Sequence, residues 1–222
     1  MCGRFVSPDQ AAIERIFQLG GPRWRLVLKS DEPFIARFNV APTDPIPIVR
    51  RRKDELELAP AHWGLVPHWA ADAKSSFRMI NARDDTITKR RAFEKPIRQW
   101  RCLIPALGWY EWRKEDGVRQ PYYFYTDDGL TFAGIFAWNG TLSLLSCSII
   151  TTAANALAAE VHDRMPAILP VQAWETWIDP GSSLDDVLGL LRPYGGNDLR
   201  KRRVSTYVNN VRNQGPECIE PA

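Results

Sequence analysis

The chain has 222 residues, 45% of them hydrophobic, which is the size and composition of one globular core, so a single domain over 1–222 is expected. Lys plus Arg number 29 against 26 Asp plus Glu, a formal charge of +3 that excludes an acidic disordered chain. Of those 29 cations 22 are Arg and 7 are Lys. Arg binds phosphate through a planar fork and stacks on flat rings, so this excess beside nine Trp suits a nucleic-acid partner, although an Arg-rich genome leaves the same mark.

No run approaches the roughly 20 apolar residues of a membrane helix, and no apolar stretch follows Cys2 and Arg4 as a secretory signal requires. A cytoplasmic protein, associated with the nucleoid when it holds DNA, is expected. The cysteines, Cys2, Cys102, Cys147 and Cys218, form no CxxC pair, and His62 and His68 lack the same-face spacing of a zinc protease. Neither a metal nor another cofactor is expected, and the thiols are expected to be reduced.

Along the chain, Ser7 and Pro8 predict an N-cap and first turn, followed by Ala11, Ile13, Ile16, Phe17 and Leu19 at helical spacing up to Gly20. Ile46, Ile48 and Val49, a turn at Lys53 and Asp54, and Leu56 and Leu58 predict a hairpin with Arg50 to Arg52 as a solvated tip. WGLVPHW at 63–69 reads as a loop exposing both indoles. Residues 86–99 suggest a short polar helix ending near Pro96.

Between 102 and 151, three turn pairs, Asp116–Gly117, Asp128–Gly129 and Asn139–Gly140, separate aromatic-rich runs and predict a four-stranded antiparallel meander ending in a strand over 142–151. An Ala-rich helix over 153–161 delivers His162, and helical segments follow over 171–178 and 184–191. With no βαβ alternation, the fold class is α+β.

Four residues could carry chemistry. Cys2, once Met1 is removed, places an α-amine and a thiol on adjacent carbons, and such a 1,2-aminothiol condenses with an aldehyde to a thiazolidine. Its amine, with a pKa of roughly 7.7 to 8.0, is far easier to deprotonate than a Lys. His162, in HDRMP, leaves a helix ahead of a proline and titrates near neutrality. Glu111, in GWYEW, falls on the same strand face as Trp109, where ring burial would raise a carboxyl pKa. Asn81, in INAR, offers donor and acceptor in one amide. Each has a plainer reading: an incidental second-residue Cys, a surface His, a solvent-facing or Arg-paired Glu, a turn Asn.

Together the segments MCGRF at 1–5, FNVAP at 38–42, WGLVPHW, INAR at 80–83, GWYEW at 108–112, ITTAAN at 150–155 and HDRMP at 162–166 resemble the SRAP (SOS-response-associated peptidase) family. The resemblance runs from Cys2 to VRNQG at 211–215. It implies one mixed domain with an antiparallel, barrel-like core and peripheral helices, acting as a monomer. It also implies a basic groove for single-stranded DNA and covalent capture of abasic sites as a thiazolidine.

Carried over, Cys2 is the nucleophile, Asn81 a positioning amide, Glu111 the group that opens the sugar and His162 the group that assists imine chemistry. Arg4, Asn39, Pro42, Trp69, Arg83, Trp112 and Arg164 are its groove positions. Two rivals stay open: a Cys2–His162–Asn81 peptidase, whose one turnover could be on its own Met1, with lyase-like activity as a variant, and a non-covalent nucleic-acid-binding module. Replication-associated protein partners are compatible with the resemblance.

Overall fold

A computed structural model describes residues 2–222. In chain order it comprises β1 (Phe5–Ser7), α1 (Gln10–Gln18), β2 (Leu26–Leu28), β3 (Arg37–Val40), β4 (Pro45–Arg52), β5 (Glu55–Trp63), β6 (Asn81–Arg83) and α2 (Arg91–Gln99). There follow β7 (Arg101–Glu115), β8 (Val118–Asn139), β9 (Leu144–Ala153), α3 (Ala156–Ala159), β10 (Arg164–Pro166), α4 (Trp174–Ile178), α5 (Leu184–Gly189) and β11 (Arg200–Arg203). Among the described residues no helix is long and apolar enough to cross a membrane.

Strands β7, β8, β9, β5 and β4 pair in succession, and β4 pairs back to β7, so the sheet closes into a ring. Closure removes two edges from the sheet's centre. Every junction of the ring is antiparallel except β5 with β9, where His62 lies opposite Ser146 in parallel register. The fold is therefore the α+β class with a barrel-like core, mixed where the sequence suggested a wholly antiparallel one. Strands β1 and β3 extend it beside β7, and β11 extends it beside β8.

Alternation along the strands sorts the apolar residues into two layers. Ile46 and Ile48 of β4, Ile104 and Trp109 of β7, and Phe124 and Phe132 of β8 join Cys2, Phe5 and Trp63 in one buried cluster. Val49, Leu56, Leu58 and Leu103 instead pack against α1, α2, α4 and α5 through Ile13, Phe17, Phe93, Ile97, Trp174, Trp177 and Val187.

Several local expectations shift. Ser7 closes β1 and is buried, and the N-cap of α1 is Asp9, whose carboxylate accepts the Ala12 N–H at 2.8 Å. Three residues of its periodic set, Ile13, Ile16 and Phe17, are buried, whereas Leu19 is 62% exposed beyond the last turn. Helix α2 continues through Pro96, because burial of Phe93, Pro96 and Ile97 outweighs the one hydrogen bond that proline forgoes.

Asp116 and Gly117 both have positive φ and form the two-residue hairpin turn that their sequence predicts. Asp128–Gly129 reverses nothing, since β8 pairs with β7 on both sides of it. Residues 126–129 bulge outward there, closed by a hydrogen bond from Thr126 Oγ1 to the Gly129 carbonyl. The meander thus has three long strands rather than four.

The Ala-rich helix shrinks to α3, capped by Asn155, whose side chain accepts the Ala158 N–H. Trp63 is fully buried with its indole N–H on the Ile80 carbonyl at 3.0 Å, so of the two indoles in 63–69 only that of Trp69 is exposed. The Arg50–Arg52 tip is not simply solvated. Arg50 donates twice to the buried carboxylate of Glu57, at 3.1 and 2.9 Å, and Arg51 reaches Glu175 at 2.7 Å.

Candidate active site

The N-terminal segment enters the barrel beside β7: Phe5 lies opposite Trp109, and the Tyr110 N–H donates to the Arg4 carbonyl. This register leaves Cys2 at 0% exposure against the interior cluster. Its main chain is held from across the barrel, since Asn81 at the start of β6 donates its Nδ2 to the Cys2 carbonyl at 2.7 Å. Asn81 is where it is because β6 runs parallel to β9, with Asn81 opposite Ile149. Burial pushes the Cys2 thiol pKa well above its ordinary value, and the nearby Glu111 carboxylate raises it further. Cys2 therefore carries a protonated thiol at neutral pH, so its sulfur must lose a proton during any bond formation.

Glu111 lies on β7, two residues from Trp109 and on the same strand face. It is 3% exposed, and burial raises its pKa to about 7. A carboxyl at that value exchanges protons in either direction at neutral pH. His162 follows α3, and its Nδ1 accepts the Arg164 N–H at 3.0 Å with the Asp163 carboxylate 2.9 Å away. Burial lowers the ring's pKa, which favours the neutral form.

Glu111 and His162 share one cleft of about 340 Å³ with Gly3, Arg4, Trp112, Arg119 and Asn209. A larger cleft of about 550 Å³ beside Trp24 is lined by Glu14, Gln18 and Arg25 and by none of the candidate residues. Among the described residues no three His, Cys, Asp or Glu side chains converge as metal ligands.

The groove positions separate. Arg4 and Trp112 line the cleft. Asn39 is wholly buried: its Nδ2 donates to the carbonyls of Val208, Asn210 and Asn213, and its Oδ1 accepts from Arg4 at 2.7 Å. It clamps the 205–214 segment against the barrel. Arg164 is also buried, bound to Asp84 at 2.6 Å and to the Thr151 carbonyl. Arg83 is exposed and pairs with Asp85, Pro42 is half-buried after β3, and Trp69 lies apart with the Arg91 guanidinium 4.8 Å from its ring centroid.

Two cleft residues escaped the sequence reading. Arg119 could be found from the β7–β8 register once the turn at 116–117 is fixed. Asn209 arrives from a distant segment that carries no local signal.

The Asn81 amide holds the Cys2 carbonyl, and the main chain of Arg164 holds the His162 ring.

A closed mixed barrel that brings Glu111 and His162 to one cleft has counterparts among known proteins. A family model described as SOS response associated peptidase (SRAP) matches residues 1–211. The abasic site processing protein YoqW of Bacillus subtilis is 37% identical over 190 residues, covering 82% of this chain and 85% of its own. YoaM of the same organism, another abasic site processing protein, is 33% identical over 99% of this chain and 98% of its own. The abasic site processing protein HMCES of Xenopus tropicalis is 32% identical over 99% and 78%. A solved structure from Bacteroides thetaiotaomicron superposes with a TM-score of 0.78 at 26% identity, covering 98% of this chain and 99% of its own. The chain belongs to the SRAP family.

Proposed function

We propose that the protein captures abasic sites in single-stranded DNA as a covalent adduct on Cys2. The reading requires a free α-amine on Cys2, and hence loss of Met1. An abasic deoxyribose rests mainly as a cyclic hemiacetal. Glu111 takes the hemiacetal hydroxyl proton and returns a proton to the ring oxygen as it opens, which frees the aldehyde. The Cys2 amine adds to the carbonyl carbon to give a carbinolamine, and loss of its hydroxyl as water, assisted by His162, leaves an imine. The thiol then adds to the imine carbon while its proton passes to the nitrogen, closing the five-membered thiazolidine.

The observation that carries this reading is the convergence of a buried, near-neutral Glu111 and a neutral His162 on one cleft beside the fixed main chain of Cys2. Asn81 serves to hold that main chain, and Arg4 and Trp112 contact the strand. The relatives named as abasic site processing proteins support the substrate class.

Intact mass after incubation with a single-stranded oligonucleotide containing one abasic site tests it. The expected product is the chain without Met1 plus one oligonucleotide minus one water, stable to denaturant and absent for Cys2→Ala. An adduct that survives Cys2→Ala would assign the chemistry to a lysine imine, and loss of Met1 with no adduct would leave a peptidase or a plain binder.

A further inference from the structure

Arg119 sits two residues into β8, opposite Lys114 of β7, while Trp112 lies opposite Pro121. Residues paired across a ladder share a face, so Arg119 is the diagonal same-face neighbour of Trp112, a distance that long side chains bridge. The structure shows the result: the Arg119 guanidinium is 5.6 Å from the Trp112 ring centroid, and that of Arg4 is 5.9 Å from the same ring. Two cations thus attend one indole at the edge of the cleft.

The ring itself is fixed. Its Nε1 donates to Asn209 Oδ1 at 2.7 Å, and Asn209 Nδ2 donates to the Arg119 carbonyl at 3.1 Å. Asn209 thereby ties the platform to the strand that bears the cation.

Among the described residues Arg119 has no carboxylate within ion-pair distance, in contrast to Arg113 on the same hairpin, which is paired with Glu115 at 2.6 Å and donates to Tyr122. Arg4 is committed to Asn39 and to the Val208 carbonyl, neither of which carries charge. Burial and the charge of Arg119 both act against the protonated Arg4. An anion placed between the two guanidiniums would relieve that repulsion, and a guanidinium recognises phosphate oxygens in bidentate fashion.

We infer that Arg119 is a phosphate-binding residue of the cleft, seating a backbone phosphate of the DNA strand beside the captured sugar through the Arg4–Trp112–Arg119 group. The inference rests on the function proposed above and adds a residue and a contact to it.

The test uses the full chain and a single-stranded oligonucleotide carrying a tetrahydrofuran abasic analogue, which has no hemiacetal to open, so that binding is read without covalent capture. One phosphate contact on a single strand contributes about 0.7 to the slope of log affinity against log salt. Arg119→Gln is expected to lower that slope by about 0.7, so that the wild type loses about 2.5-fold more affinity than the variant between 50 and 200 mM salt. Arg119→Lys keeps the charge and should retain the slope, while Arg113→Gln should leave it unchanged.

Equal slopes for wild type and Arg119→Gln would overturn the inference, as would an equal drop for Arg113→Gln, which would reduce the effect to net charge. Failure of the proposed function has a different signature, namely wild-type protein that forms no adduct with the true abasic site, whatever the slopes.

Discussion

Two buried glutamates on neighbouring walls of the same barrel have opposite surroundings. Glu57 on β5 and Glu111 on β7 are each 3% exposed. Glu57 receives two hydrogen bonds from Arg50 and has Arg52 and Lys29 within 3.8 Å, so its charge is matched by cations on adjacent strands. Glu111 lies beside Trp109 at the cleft, where burial dominates and brings its pKa to about 7. Burial by itself therefore separates neither role. What differs is that Arg50, Arg52 and Lys29 surround the Glu57 carboxylate, whereas burial is the largest influence on that of Glu111.

Removing each carboxylate should give opposite results. Glu111→Gln is expected to slow adduct formation by about 10² to 10³, the range for losing a positioned acid–base group. The same change should flatten the pH dependence of stability. In the native chain Glu111 holds its proton up to about pH 7, but an unfolded glutamate releases it near 4.5. The native state therefore binds the extra proton between those values, and stability falls as pH rises through that window, by on the order of 3 kcal/mol. Chemical denaturation at pH 5 and pH 8 checks this: a wild-type stability that rises with pH over that range, or a Glu111→Gln chain equally sensitive, would refute the assignment.

Glu57→Gln should leave the crosslinking rate within a factor of two or so, yet cost about 3 kcal/mol by stranding Arg50 without its partner. Urea unfolding separates the two effects, and a crosslinking defect larger than the loss of folded protein would undo the contrast. Arg164→Ala belongs with Glu57, because it leaves Asp84 unpaired. It should likewise lower stability by about 3 kcal/mol while the salt slope of DNA binding stays that of the wild type, and a reduced slope would return Arg164 to the groove.

The smallest expected effect is that of Asn81→Ala. It removes one hydrogen bond to the Cys2 carbonyl, for about 1 kcal/mol of stability and about tenfold in adduct rate. An unchanged rate would make Asn81 purely a fold element.

These contrasts also mark what a sequence can disclose. Glu111 falls on the Trp109 face because alternation is a local rule, and the 116–117 turn follows from Asp-Gly alone. Asp128–Gly129 carries the same composition, but pairing with β7 on both sides makes it a bulge, and that pairing is decided by the other strand. Trp63 and Trp69 are indistinguishable in the chain, yet one fills the barrel and the other meets Arg91. Asn39 and Arg164 are polar residues within short motifs, and only the folded chain shows that their hydrogen bonds go to carbonyls at 208–213 and to Asp84. Arg119 and Asn209 enter the cleft by register and by a contact spanning 97 residues between Asn209 and Trp112.

The clamp at Asn39 has a consequence for the order in which the molecule is made. Its three bonds to the C-terminal segment span 169, 171 and 174 residues, and the bond from Arg4 to Val208 spans 204. On a ribosome the Cys2–Ser7 segment is made about 200 residues before the segment that walls its cleft. The completed cleft, with Asn209 against Trp112, exists only once synthesis has passed the segment that Asn39 holds.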